Sequence, residues 1–330
     1  MILKPSVKSG PGLALVLAAL LAATVPAQAQ SWPSRPMRFV APFTPGGSTD
    51  NLSRLLAQKL SATYKQSVIV ENRPGAGGVV GSELVARSAP DGYTLLLSTL
   101  ATLVIAPAVQ KTVPYDGVRD FTHIALLGGP ATTLSVGPAL ADVKDLKSFI
   151  ALARAKPGTI GYGTPGNGTH GHLVGELFKQ LAGVEILHVA YKGGLPAITD
   201  LVAGHLPSGV LTVASVGPHV HAGKVRMLAS TAEKRIADFP QVPTFAELGY
   251  PGLTSITWFG VAAPAGLPPA VVDSLNQEIR KAMQAADVRE RLRPEGFEFI
   301  DLDPAQTVEY VRSETRRWQP IARTSSARND

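Results

Sequence analysis

The residues of this 330-residue chain best placed to do chemistry are glycines and small hydroxyls gathered in three turns. The first is Pro42-Phe43-Thr44-Pro45-Gly46-Gly47-Ser48 and the second Glu71-Asn72-Arg73-Pro74-Gly75-Ala76-Gly77-Gly78. The third is Gly163-Thr164-Pro165-Gly166-Asn167-Gly168-Thr169-His170-Gly171. Each stands between an apolar run and a stretch of helical spacing. The first amides of a helix have no partner inside it, glycine lets a ligand approach the backbone, and the positive end of the helix dipole faces the turn. A small anion is the species such a turn favours. Many strand-to-helix connections in α/β proteins bind only water, so the turns alone leave both readings open.

Other patterns carry less. Gly166-Asn167-Gly168-Thr169-His170-Gly171 fits G-x-G-x-x-G between a strand and a helix, but a dinucleotide site also needs an acidic residue after the next strand. Here that strand, Ile186 to Val189, runs into Ala190-Tyr191-Lys192. No G-K-[ST] loop occurs. His170 and His172, like His219 and His221, would need further converging ligands to hold a metal and read as polar turn residues. No metal and no cofactor is expected. Ser48 sits at a turn that is not a nucleophile elbow and has no assignable base, so it reads as a helix cap or a ligand donor. Lys192 and Arg73 are the basic residues beside the glycine turns.

The positioning elements follow from the spacing. Met37 to Ala41 is a buried strand, and Leu52, Leu55, Leu56 and Leu60 share one face of the helix after it. Val68 to Val70, a helix from Val79 to Ser88 and a strand from Tyr93 to Ser98 continue a β-turn-α alternation, which predicts a parallel sheet flanked by helices. The chain is expected to cross into a second domain near Gly128-Gly129-Pro130. That domain should hold a helix over Leu146–Ala155, a strand over Thr159–Gly163, a helix over His172–Ala182 and another over Leu195–Ala203. Thr254 to Ala262 returns the chain, and helices over Pro268–Ala286 and Pro304–Arg323 close it. Ahead of all this, Lys4 and Lys8, the apolar run Leu13–Val25 and Ala27-Gln28-Ala29 form a secretory signal peptide cleaved after about Ala29. Cysteine is absent, which excludes disulfides and thiolate sites. The net charge of +6 is modest, and the basic C-terminal residues read as a solvated helix face rather than a nucleic-acid surface.

These pieces together resemble the extracytoplasmic solute receptors of tripartite tricarboxylate transporters, the Bug receptors. The matching residues are Trp32-Pro33-Ser34-Arg35-Pro36, Pro42 to Asp50, Glu71 to Gly78, Ala89-Pro90-Asp91-Gly92-Tyr93-Thr94-Leu95, Gly166-Asn167-Gly168-Thr169, His188-Val189-Ala190-Tyr191-Lys192-Gly193 and Trp258-Phe259-Gly260-Val261. The resemblance implies a type II periplasmic-binding-protein fold of class α/β, with two doubly wound lobes around a ligand cleft. Lobe 1 would comprise residues 30–128 and 255–330, and lobe 2 residues 129–254. It implies lobe closure on a small carboxylate (a di- or tricarboxylate, an acidic amino acid or an aromatic acid) without chemistry. The implied contacts are Phe43, Thr44, Gly46, Gly47 and Ser48, the strand end Ser98-Thr99, the turn residues Gly163, Thr164, Gly166, Asn167, Gly168, Thr169 and His170, and Thr212. The implied partners are permease subunits or a sensor kinase, met by a periplasmic monomer. Leu211 departs from some relatives, which carry an acidic residue there, and this argues against an amino-group ligand and for a less polar or aromatic acid. The rival class is a secreted hydrolase or nucleotide-binding enzyme on a similar scaffold. A ligand sensor with no transport role also fits.

Overall fold

The computed structural model describes Met1, residues 32–46 and residues 48–324; the expected signal peptide and Gly47 lie outside the described residues. The chain divides into Met1–Ser34 and Arg35–Asp330, and the fold is that of the second unit.

It opens with β1 (Met37–Ala41), α1 (Ser48–Tyr64), β2 (Val68–Asn72), α2 (Val79–Ala86) and β3 (Thr94–Thr99). Leu52, Leu55, Leu56 and Leu60 of α1 are all buried, as their spacing requires. A single π-helical turn, Ala101–Ile105, leads into the short α3 (Ala106–Val109). Then come β4 (Phe121–Pro130), β5 (Thr132–Val136), α4 (Leu146–Ala155), β6 (Gly161–Thr164) and α5 (His170–Ala182). They are followed by β7 (Leu187–Ala190), α6 (Gly194–Ala203), β8 (Ser208–Thr212), α7 (Val213–His221) and β9 (Arg226–Ser230). The chain ends with β10 (Phe259–Pro264), α8 (Pro269–Gln284), α9 (Ala286–Leu292), β11 (Phe297–Phe299) and α10 (Pro304–Thr324).

Two sheets result. The first has the order β11-β4-β10-β3-β1-β2 and the second β7-β6-β8-β5-β9. The expected parallel alternation holds for β2, β1 and β3. It does not extend further, because β10 runs antiparallel to both β3 and β4, and β11 antiparallel to β4. The chain leaves the first sheet along β4 and re-enters along β10, so these neighbours must point in opposite directions. In the second sheet β6 is parallel to β7 and β8, while β5 is antiparallel to β8 and β9.

The two passages between sheets lie side by side. Ala131, between β4 and β5, bridges antiparallel to Ile256, and Thr257 donates its N–H to Pro130 at 3.0 Å. A Cβ on Gly129 would sit 2.0 Å from the Thr257 carbonyl oxygen, so only glycine permits this approach. The fully buried Trp258 and Trp318 belong to one apolar cluster, and Arg317 of α10 donates to the carbonyls of Gly252 and Thr254 at 2.9 and 2.7 Å. The C-terminal helix thereby clamps the returning segment. None of the described helices is long and apolar enough to cross a membrane.

Candidate functional site

A cavity of about 520 Å³ opens where glycine turns of the two sheets face each other. Phe43, Ala76, Gly77 and Ala101 line it from the first sheet's side, and Asn167, Gly168 and Thr169 from the second. Ala106, Val109, Gln110, Lys111 and Thr112 complete the wall. Three helical N-termini border this space: Ala76-Gly77 precedes α2, Ala101 begins the π-turn, and Thr169 caps α5. Lys111 is the charged residue on the lining, and no carboxylate is among the lining residues. Neutral amides, one ammonium group and helix dipoles make this an environment for an anion.

The first turn is braced from below. Asp50, in the first turn of α1, accepts the Gly46 N–H at 3.0 Å, Asn72 Nδ2 at 3.0 Å and Arg54 Nε at 3.0 Å. Asn72 also donates to the Phe43 carbonyl at 3.1 Å. The Arg54 guanidinium, aided by the Gly46 amide and Asn72, holds the Asp50 carboxyl down to about 2 against the opposing effect of its burial. Asp50 is therefore a permanent anion that uses the Gly46 amide itself.

At the end of β3, Thr99 and Thr102 exchange reciprocal N–H···Oγ1 bonds of 3.1 Å, and Tyr115 donates its hydroxyl to the Thr102 carbonyl at 2.7 Å. The π-turn thus has its free backbone groups satisfied locally, which holds Ala101 at the cavity wall.

Beneath the third turn lie two stacked imidazoles, His172 and His188, with ring centroids 3.8 Å apart and planes 9° apart. His172 Nδ1 accepts the Gly168 N–H at 3.2 Å, and His188 Nε2 meets Thr164 Oγ1 at 2.7 Å. Thr164 Oγ1 also accepts the Gly166 N–H at 3.2 Å. Burial pushes His172 down to about 4 and His188 to about 3, so both rings are neutral near pH 7. A neutral His172 is what the Gly168 amide requires, because a protonated Nδ1 could not accept it.

The expected site residues separate into groups. Phe43, Asn167, Gly168 and Thr169 line the cavity. Thr164 and Gly163 are buried under the turn, and Gly166 shapes it with φ of +143°. Thr44 and Gly46 are exposed, and Ser48 lines a separate cavity of about 160 Å³ with Arg291 and Glu295. Ser98 and Thr99 are buried at the strand end, and Thr212 stands at the residue before α7 with its hydroxyl 3.1 Å from that of Ser215 and no side-chain bond to the helix amides. His170 turns away from the cavity: Thr132 and Thr257 hydroxyls approach its Nδ1 at 2.9 and 3.0 Å, and Ser255 its Nε2 at 2.9 Å. Leu211 lies in the core of the second sheet's layer, packed in a cluster with Ile198 and Val216 and off the cavity lining, so the departure at this position does not itself argue for a less polar or aromatic acid.

Sequence reasoning missed Ala76 and Gly77 as lining residues although it located their turn, and it missed Lys111 altogether. The apolar run after Thr99 gives no polar signal, and the π-turn that swings Lys111 round to the cavity has no signature in residue type. A larger cavity of about 1080 Å³ runs beside β9, bordered by Lys144, Lys147, Lys224 and Arg226, and it belongs to the second sheet's side alone. Among the described residues no three His, Cys, Asp or Glu side chains gather as metal ligands.

Residues 52–326 match the family described as the tripartite tricarboxylate transporter family receptor. Protein BugT of Bordetella pertussis is 36% identical over 304 residues, 92% of this chain and 93% of that protein. Among solved structures, R. palustris Rpa4515 with adipate is 36% identical with a TM-score of 0.79, covering 89% of this chain and 98% of that one. MatC (Rpa3494) from Rhodopseudomonas palustris with bound malate is 31% identical with a TM-score of 0.77, covering 88% of this chain and 100% of that one.

Proposed function

Since the chain belongs to the receptor family of tripartite tricarboxylate transporters, we propose that it captures a small dicarboxylate in the 520 Å³ cavity and delivers it to a membrane permease. Export to the periplasm, with cleavage after about Ala29, is part of this reading. Residues 30–128 with 255–330 would form one lobe and residues 129–254 the other, closing about the paired passages at Ala131 and Ile256. No chemistry is assigned to the site; the protein binds and releases.

The observation that carries the proposal is the cavity lining: glycine turns from both sheets, three helical N-termini, and Lys111 as the charged residue. One carboxylate would lie between the backbone at Gly77 and the Asn167 side chain, over the helix N-terminus at Thr169, since the Gly168 and Thr169 amides are already bonded to His172 Nδ1 and the Gly166 carbonyl. The alanine and valine side chains of Ala101, Ala106 and Val109 suit a methylene chain, and Lys111 would meet the second carboxylate. The adipate and malate held by the two relatives are acids of this class.

The test is a thermal-shift panel on protein unfolded and refolded to strip carried-over ligand, using adipate, succinate, malate, citrate, benzoate, aspartate and hexanoate. A ligand at a hundred times its dissociation constant adds about 2.7 kcal/mol to stability. Adipate or a similar dicarboxylate should raise the melting temperature. Lys111→Met should weaken that dicarboxylate about fivefold, the upper range for an exposed charge pair, and leave hexanoate within about twofold. If no acid shifts the melting temperature, the receptor reading fails. If Lys111→Met weakens mono- and dicarboxylates alike, the lysine does not read the second charge.

A further inference from the structure

The buried imidazole of His170 has three hydroxyl neighbours drawn from both passages between the sheets. Thr132 follows the outward passage at Ala131, and Ser255 and Thr257 flank Ile256 on the return. The proton positions follow from the network. Ser255 Oγ donates to the Leu253 carbonyl at 3.0 Å, so it must accept from His170 Nε2–H. Nδ1 is then the acceptor, its one lone pair shared between the Thr132 and Thr257 hydroxyls. Trp318 of α10 stands edge-on to the ring with centroids 5.5 Å apart. In sequence His170 is the first residue of α5, directly after Thr169 of the cavity lining.

From this we propose that His170 is a positioning residue that locks the third glycine turn to the crossing segments, so that the turn and the lobe hinge move as one piece. The inference rests on the lobe-closure reading above. A turn that simply rode on α5 would need no bond to Thr257, which lies on the far side of the return passage. The three hydroxyls would then be expected to satisfy one another or the backbone, as Thr231 does by donating to the Ser255 carbonyl at 2.6 Å.

The absence of cysteine allows clean spin labelling. Labels at Gln58→Cys on α1 and Thr199→Cys on α6, both exposed and away from the cavity, report the distance between the sheets' layers by pulsed electron resonance. Without ligand, His170→Leu should about double the width of the distance distribution, since the hinge loses its ties. His170→Asn, whose Oδ1 replaces the Nδ1 acceptor, should restore most of the narrow distribution. Phe149→Leu, in the core on α4 and in none of the hydrogen bonds at the passages, should lower the melting temperature without broadening the distribution. An unchanged distribution in folded His170→Leu, or equal broadening in Phe149→Leu, overturns the proposal. Should His170→Leu not fold, Thr257→Val removes one tie and should broaden the distribution part way; no broadening again overturns it. Addition of adipate to the labelled parent tests closure separately: failure to shorten the distance counts against the lobe-closure reading, and the ligand-free widths still decide the role of His170.

Discussion

Replacing Gly168 by valine is expected to reduce carboxylate affinity at least about a hundredfold while the protein stays folded. Gly168 has φ of +69°, and a Cβ there would stand 3.5 Å from Ile105 Cγ2 and 3.6 Å from Val109 Cγ2, across the cavity. A single methyl group therefore just fits, but the two further carbons of valine occupy the space between the turn and α3. The left-handed backbone adds about 1–2 kcal/mol of strain for a residue with a Cβ. Relief of that strain would pull the Gly168 amide off His172 Nδ1 and distort the turn itself. Gly168→Ala carries the strain without the obstruction and should lose only a few-fold. Calorimetric titration with adipate, with circular dichroism as the folding control, separates the two variants. A folded valine variant that binds like the parent would remove this turn from the site.

The second large effect is loss of stability in mild acid. His123, His170, His172 and His188 are held neutral by burial, with values lowered from 6.5 to about 4, 3, 4 and 3 respectively. Unfolding returns each to its ordinary range, so below about pH 6.5 the unfolded chain binds more protons than the folded one. Stability is then complete above that pH and falls as the pH drops toward the folded values. By pH 5 each group withdraws about 2 kcal/mol; Glu298, which burial raises from 4.5 to about 7, takes up its proton first in the folded state and offsets about one of the four, so the net loss is still a large part of a domain's stability. Asp50 works in a lower window: its stabilisation is present above about 3.8 and lost only as the pH falls toward 2. Urea unfolding at pH 7.5, 6 and 5 should show a steep decline corresponding to uptake of at least about two protons. A flat free energy over that range would mean that the buried rings are protonated at little cost.

Much of this was legible in the residues. Apolar runs and period-3.6 patterns located β1, α4 and the last helix within a residue or two and the start and buried face of α1, because these elements bury one continuous apolar face. β8 escaped because Ser208 and Gly209 open it and its only strong signal, Val210-Leu211, is too short to separate from a helix start. The direction of β10 could not be read either, since alternation says nothing about which neighbour a returning strand will meet. At the site, the glycine turns announced themselves by residue type. What the side chains do below them did not: Asp50 under Gly46 and His172 under Gly168 are contacts only four residues apart whose geometry residue type does not announce, and His170 at the crossings is set by contacts between segments distant in sequence. His170 shows the limit well, because its place in the glycine turn suggested a ligand contact while its ring meets the hydroxyls of Thr132, Ser255 and Thr257.

The most direct test of the account follows backbone amide resonances of stripped, isotope-labelled protein during titration with adipate. The account predicts saturable shifts at Gly77, Gly168 and Thr169, with no matching change at Lys144 or Arg226 beside the larger cavity. Shifts confined to the Lys144–Arg226 cavity, or none at any dicarboxylate concentration, would contradict it.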